Sequence, residues 1–302
     1  MTDRRLLLVH AHPDDETIAT GATMARYAAE GVSVTLVTCT LGELGEVLVP
    51  ELAGLAADRA DQLGGYRISE LAAAMRELGI ADHRFLGGAG RWRDSGMIDT
   101  AGNDDPRAFW ACGTDEMLFD EAVSHLVEVI DEVQPQVLVT YDENGGYGHP
   151  DHIMAHRVAM AAVDRASWQV PRVYWHVIPK SFLQRGIDAL IASGQGGFEG
   201  MTSADEFPFG AEDHEVTTAL INAGFGPTKT AAMRSYPTQI SPESSFFALI
   251  NSLGEDAFAV EHYRLVRGEQ ATERGADGRE TELFGDSPNQ ISGGGSRDRA
   301  SA

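Results

Sequence analysis

Two short apolar runs constrain this chain more than anything else in it. Leu6-Leu7-Leu8-Val9 and Val137-Leu138-Val139-Thr140-Tyr141 are nearly continuous in apolar residues, and a helix-forming segment follows each. Runs of that length suit strands covered on both faces, as in a parallel sheet. After the first run, residues 17–30 read as a helix closed by Gly31, and residues 32–40, VSVTLVTCT, read as a β-branched strand. That succession is a βαβ unit.

The same alternation continues along the chain. Residues 56–78 read as helical, interrupted at Gly64-Gly65, and 84–86 as a short strand. A glycine-rich polar stretch, GGAGRWRDSGMIDTAGNDDPRAFW, reads as a long loop of the kind that is functional or mobile. Residues 120–133 predict an amphipathic helix, 153–166 another, and 173–178 a further strand. The expected fold is α/β: a Rossmann-like, mostly parallel sheet flanked by helices, spanning residues 1–180. Residues 181–268, with a late strand near 262–266, are expected to pack on that sheet as a smaller C-terminal segment completing the active-site cleft. From Glu269 the composition turns to Gly, Ser, Asp, Glu and Arg, so residues 269–302 are expected to form a disordered tail.

Bulk numbers exclude several classes. Of 302 residues 43% are hydrophobic, enough for a full core. The 46 acidic against 23 basic residues give a formal charge of −23, which repels nucleic-acid backbones and anionic membranes. Cys39 and Cys112 are far apart and in no C-x-x-C arrangement, which suits buried thiols in a reducing compartment. No secretory leader and no bilayer-length apolar run is apparent, so a cytoplasmic location is expected.

The chemistry collects at the strand exits. In an open α/β sheet, ligands bind outside the carboxyl ends of the strands. His12-Pro13-Asp14-Asp15-Glu16 follows the first run, and Gly148-His149-Pro150-Asp151-His152 follows the second. A dinucleotide fold would carry G-x-G-x-x-G at the first turn, and this chain does not. A catalytic zinc site takes about three imidazole or carboxylate ligands and keeps one position open, where the pKa of water falls to about 7. His12, Asp15 and His152 supply two nitrogens and a carboxylate. Asp14, beside a ligand, is placed to take a proton from that water. His149 lies one helical turn before His152. His10 reads as a residue supporting the ligands. His83, His125, His156, His176, His214 and His262 lack such context and read as structural or solvated.

These two motifs, with LVTCTLGELGEV, DQLGGYRISEL, LGGAGRWRDSGM and TYDENGGYGHPDH, resemble the LmbE-like, or PIG-L, family of zinc-dependent N-acetylglucosamine deacetylases. The resemblance covers roughly residues 4–268. It implies hydrolysis of the acetamide of N-acetylglucosaminyl-inositol to glucosaminyl-inositol and acetate, in mycothiol biosynthesis. It implies one Zn²⁺ per chain held by His12, Asp15 and His152, with Fe²⁺ or Co²⁺ as substitutes. Asp14 is then the general base, and His149, oriented by Asp151, stabilises the oxyanion or protonates the leaving amine. Tyr147 polarises the acetyl carbonyl. Arg67, Asp94 and, more weakly, Glu46 match positions that contact the hydroxyls of this neutral pseudodisaccharide. Trp92 either stacks on a sugar face or caps the core.

Two other readings compete. One is an amidase acting on mycothiol S-conjugates with the same metal site. The other is a non-catalytic sugar- or metal-binding protein, which would need no base such as Asp14 beside the ligands.

Overall fold

The computed structural model describes residues 4–285 apart from 195, 199 and 208. Seven strands form one sheet: β1 (Arg5–His10), β2 (Ser33–Thr38), β3 (Asp82–Phe85), β4 (Val137–Thr140), β5 (Arg172–Val177), β6 (Thr218–Ile221) and β7 (Val260–Arg267). Their order is β3-β2-β1-β4-β5-β7-β6. β1 pairs in parallel with β2 (Leu6 opposite Val34) and with β4 (Leu6 opposite Val137). β3 and β5 extend the parallel part, and β7 runs antiparallel to both β5 and β6.

Side-chain alternation along β1 separates two cores, because successive residues point to opposite faces. Leu6 and Leu8 join Met24, Tyr27, Leu71 and Met233 on the face covered by α1 (Asp15–Ala29), α2 (Leu63–Leu78) and α7 (Gly226–Met233). Leu7 and Val9 join Val123, Leu126 and Val158 on the face covered by α3 (Glu116–Val133) and α5 (Pro150–Arg165). A four-residue turn, α4 (Gly145–Gly148), precedes α5; α6 (Lys180–Ala192), α8 (Ser245–Leu253) and α9 (Glu255–Phe258) complete the chain order. Among the described residues, no helix is long and apolar enough to cross a membrane.

Several expectations are corrected. Gly64 and Gly65 lie inside the first turn of α2, and residues 56–62, expected to be helical, form turns and irregular chain after a 3-10 helix at Pro50–Leu55. Trp92 is fully buried in the second core cluster, so it caps the core rather than facing a sugar. The tail reading fails for 269–285. Glu280 is fully buried, its backbone bonds to Thr217 and Ala219 beside β6, and Leu283 belongs to the first core cluster. Residues 286–302 of that expected tail lie outside the described residues.

Candidate active site

The strand order reverses between β1 and β4, so the loops leaving these two strands open a crevice at their carboxyl ends. Both motifs stand there. Asp14 is the N-cap of α1, and His149 is the N-cap of α5, with Pro150 in the first turn.

Three donor atoms converge. His12 Nδ1 lies 3.2 Å from Asp15 Oδ2, His152 Nε2 lies 3.3 Å from that same oxygen, and the two nitrogens are 3.3 Å apart. Tetrahedral zinc with bonds of about 2.0–2.2 Å separates its ligands by roughly 3.3–3.6 Å, so this triangle fits such an ion. The outer hydrogen bonds set the tautomers. His12 Nε2 faces Asp151 Oδ2 at 3.1 Å, and a carboxylate only accepts, so that nitrogen carries the proton. His152 Nδ1 donates to the Gly145 carbonyl at 3.2 Å, which leaves Nε2 free as a ligand. Gly145 must be glycine: its φ is +61°, and a Cβ there would lie 2.6 Å from the His152 Cβ.

Two other groups also come within ligating reach, His12 with His149 and His152, and His12 with Asp94 and Asp151. The carboxylates of the latter accept hydrogen bonds, as Asp15 Oδ2 itself does from His12 N (2.9 Å) and the Tyr141 hydroxyl (2.8 Å). Asp151 accepts from the Ser95 backbone at 2.9 Å and from the Ser95 hydroxyl, and Asp94 accepts from Leu44 N (3.0 Å) and Gly96 N (2.8 Å). The cluster as a whole can hold a metal ion.

Adjacent carboxylates are driven apart in acidity. Burial pushes Asp14 up to about 7, against the pull of Arg67. Asp15 is buried too, but His152 and His12 hold it well below the usual carboxylate range. One acid is poised near neutrality and its neighbour stays ionised, the division of labour that acid–base chemistry needs. Burial opposes protonation of His12, yet Asp94, Asp15 and Asp151 hold it well above its ordinary value. His149 is pushed down to about 3 by burial, His12 and His152. Its Nδ1 accepts from the Asp151 backbone N–H at 3.1 Å, so the neutral ring carries its proton on Nε2. The expected orientation by Asp151 therefore comes through the backbone, while the Asp151 carboxylate serves His12 and Ser95.

Arg67 is almost fully buried. It donates to the Gly42 carbonyl at 2.8 Å and to the Pro13 carbonyl, and stands 3.2 Å from Asp14 Oδ2. Gly42 makes room for it, since a Cβ there would sit 2.0 Å from the guanidinium. Tyr147 is half exposed, with its ring 5.0 Å from that of His152 and 6.1 Å from that of His149; burial and the nearby carboxylates Asp15 and Asp14 keep its phenol protonated. Asp94 forms an Asx turn through Gly96 and also lines the crevice. Glu46 is exposed and outside the crevice lining. His10 bonds to Thr20 at 3.0 Å and lies 3.4 Å from Tyr141, whose hydroxyl donates to Asp15 at 2.8 Å. His176 and His262, read from sequence as bystanders, line the cavity. Glu16, Glu43 and Ser95 were not singled out by sequence. Glu43 accepts from the Asp94 backbone at 3.0 Å.

The crevice opens into a cavity of about 800 Å³. Residues 7–163 match the family described as PIG-L, GlcNAc-PI de-N-acetylase. A 1D-myo-inositol 2-acetamido-2-deoxy-alpha-D-glucopyranoside deacetylase of Geodermatophilus obscurus is 58% identical over 297 residues, which cover 94% of this chain and 98% of that protein. The protein of the same description in Acidothermus cellulolyticus is 57% identical over 282 residues, covering 93% and 94%. Among solved structures, a deacetylase of teicoplanin biosynthesis superposes with a TM-score of 0.55 at 21% identity, over 88% of this chain and all of its own, a likeness of fold.

Proposed function

The chain belongs to the PIG-L family of de-N-acetylases, and from that premise we propose that it hydrolyses the acetamide of N-acetylglucosaminyl-inositol to glucosaminyl-inositol and acetate. The observation that carries the reading is the triangle of His12 Nδ1, Asp15 Oδ2 and His152 Nε2 with the near-neutral Asp14 beside it. Relatives named for this reaction match over nearly their whole length.

His12, Asp15 and His152 would hold the ion, with zinc the best match to two imidazoles and a carboxylate and Fe²⁺ or Co²⁺ as substitutes. When bound, such an ion acidifies water and polarises a carbonyl. Asp14 takes the proton of the attacking water. His149 presents Nε2–H to the developing oxyanion, and Tyr147, whose ring lies 6.1 Å from that of His149, presents a protonated phenol. The amide nitrogen needs a proton to leave, which Asp14 returns after the attack. Arg67 holds Asp14 and, with Asp94, borders the space for the sugar and inositol hydroxyls. Glu46 is the weakest member of this set. Residues 181–268 complete the cleft, since Phe182, Phe246 and Phe258 line it. The small hydrophilic substrate suits a cytoplasmic enzyme.

The test measures acetate release from N-acetylglucosaminyl-inositol by zinc-loaded wild type and by Asp14→Ala, with metal content determined for both. Turnover by wild type, and its loss in a variant that still binds zinc, is the expected result. Metal-loaded wild type that releases no acetate overturns the reading.

A further inference from the structure

The segment between β3 and α3 carries two neighbouring residues that face opposite ways. Asp94 lines the cavity, whereas Ser95 is fully buried and takes no part in the lining. Ser95 directs both of its donors at one carboxylate. Its backbone N–H donates to Asp151 Oδ2 at 2.9 Å, and its hydroxyl donates to Asp151 Oδ1. Its acceptors are taken from within its own segment. The Trp110 N–H donates to Ser95 Oγ at 2.9 Å, and Asn103 Nδ2 donates to the Ser95 carbonyl at 2.7 Å. Ser95 is thus fixed in its own loop as well as to α5.

Asp151 is fully buried in the first turn of α5 and is also outside the cavity lining. Among the described residues its carboxylate takes part in three hydrogen bonds: two come from Ser95, and the third comes from His12 Nε2 at 3.1 Å. A second carboxylate stands near the same nitrogen. Asp94 Oδ1 lies 3.7 Å from His12 Nε2, beyond hydrogen-bonding distance. The rigid ring of His12 therefore sits between two acceptors, and its tilt decides where Nδ1 points. With Nε2–H on Asp151, Nδ1 meets Asp15 Oδ2 at 3.2 Å and His152 Nε2 at 3.3 Å. A ring drawn toward Asp94 would carry Nδ1 off that triangle. The terminal torsion of an aspartate is broad, so nothing intrinsic holds the Asp151 carboxylate at one angle. Two donors from a single buried residue, one on each oxygen, do.

We propose that Ser95 is a positioning residue for the metal ligand His12: it locks the Asp151 carboxylate, and through it the ring whose Nδ1 completes the site. Ser95 makes no hydrogen bond to any of the three triangle residues, so its influence runs through Asp151. The proposal deepens the de-N-acetylase reading above and rests on it for the ligand triangle. Partners that orient a ligating histidine contribute about 10–100-fold in metal affinity.

The experiment measures zinc affinity by chelator competition for wild type, Ser95→Ala, Ser95→Cys, Asp151→Ala and the double variant Ser95→Ala/Asp151→Ala. Urea unfolding of each zinc-free protein reports its fold, and acetate release from N-acetylglucosaminyl-inositol is followed alongside. Ser95→Ala should raise the zinc Kd by about 10–100-fold. Ser95→Cys, close in size but a weaker donor, should fall between the two. In the Asp151→Ala background the serine substitution should change Kd by less than about twofold, because effects that pass through one shared partner do not add. A role confined to holding the loop would lower the zinc-free stability of Ser95→Ala and leave its Kd within about twofold of wild type, and that result overturns the proposal. Losses that add in the double variant overturn it as well, since Ser95 would then act by another route. Should Ser95→Ala not fold, Ser95→Cys carries the test, and a Kd equal to wild type there overturns the proposal. Wild type that binds zinc but releases no acetate removes the de-N-acetylase reading alone, and the Kd series still decides the role of Ser95. Wild type without zinc affinity removes both.

Discussion

Glu16 Oε2 accepts the backbone N–H of Asp14 at 3.0 Å, and Asp14 holds a φ of 102°. A non-glycine residue in that region stores of order 1–3 kcal/mol of strain and persists only when its surroundings enforce it. Glu16 is fully buried, and its other oxygen accepts from the hydroxyls of Tyr236 at 2.6 Å and Thr17 at 2.5 Å. Arg67 grips the same turn from the other side through Pro13 and Asp14. The candidate base is therefore held by a carboxylate that faces away from substrate.

Glu16→Ala releases this constraint and should lower kcat by about 10–100-fold, the rate equivalent of the strain lost. KM should stay within about twofold and bound zinc should be unchanged. Glu16→Gln keeps an acceptor for the Asp14 N–H and should recover part of the loss. Steady-state kinetics on variants of matched metal content decide it. Unchanged kcat in folded Glu16→Ala would show that the turn does not need this bond.

Glu280 anchors the segment that composition marked as a tail. Its carboxylate is fully buried, pairs with Arg172, and accepts from Thr218 at 2.7 Å and Tyr174 at 3.1 Å. Removing one partner of a buried pair leaves the other uncompensated, at a cost of about 3–5 kcal/mol. Glu280→Ala should lose stability of that order in urea unfolding. A Glu280→Ala loss below about 1 kcal/mol would mean the segment packs without contributing.

How much of this was legible in the chain depends on the range of the interaction. The two His-Pro-Asp clusters were readable because strand, turn and helix signals are local, and the β1–β4 crevice then unites them. The Glu16–Tyr236 and Ser95–Asp151 contacts join residues 220 and 56 positions apart, which no local pattern encodes. Composition averaged away Glu280 and Leu283, two buried residues in a polar stretch. Gly64 and Gly65 were read as a break, yet the apolar face of α2, from Leu71 to Leu78, carries the helix through them. The phenylalanines that line the cavity are scattered from 182 to 258, so no local pattern joins them.

His262 gives the fold a specific acid sensitivity. It packs against Phe182 with ring centroids 5.2 Å apart, and burial, reinforced by Arg279 and Arg185, pushes it down to about 4. An unfolded histidine titrates near 6.5, so between these values the unfolded chain binds the extra proton. The neutral ring's contribution is complete above about pH 6.5 and is lost as pH falls toward 4, by at most about 3 kcal/mol. His262→Asn should flatten the decline of the urea midpoint from pH 7 to pH 4.5 relative to wild type. Parallel declines in the two proteins would assign that acid sensitivity to other groups.

The triangle of His12, Asp15 and His152 and the group of His12, His149 and His152 make opposite predictions for His149. If His12, Asp15 and His152 are the ligands, Asp15→Ala and His152→Ala should each abolish tight zinc binding, whereas His149→Ala should bind zinc with near-normal affinity and lose most of its kcat. Zinc at about 100 times its Kd stabilises the fold by about 2.7 kcal/mol. Chelation should therefore lower the Tm of wild type and of His149→Ala by equal amounts, and leave that of Asp15→Ala unmoved. Calorimetric zinc titration alongside thermal unfolding reads both quantities. Loss of zinc in His149→Ala to the same degree as in Asp15→Ala would make His149 a ligand. Its Nδ1 is taken by the Asp151 backbone N–H, so the ligating atom would then have to be Nε2. That would leave the oxyanion without the donor proposed for it.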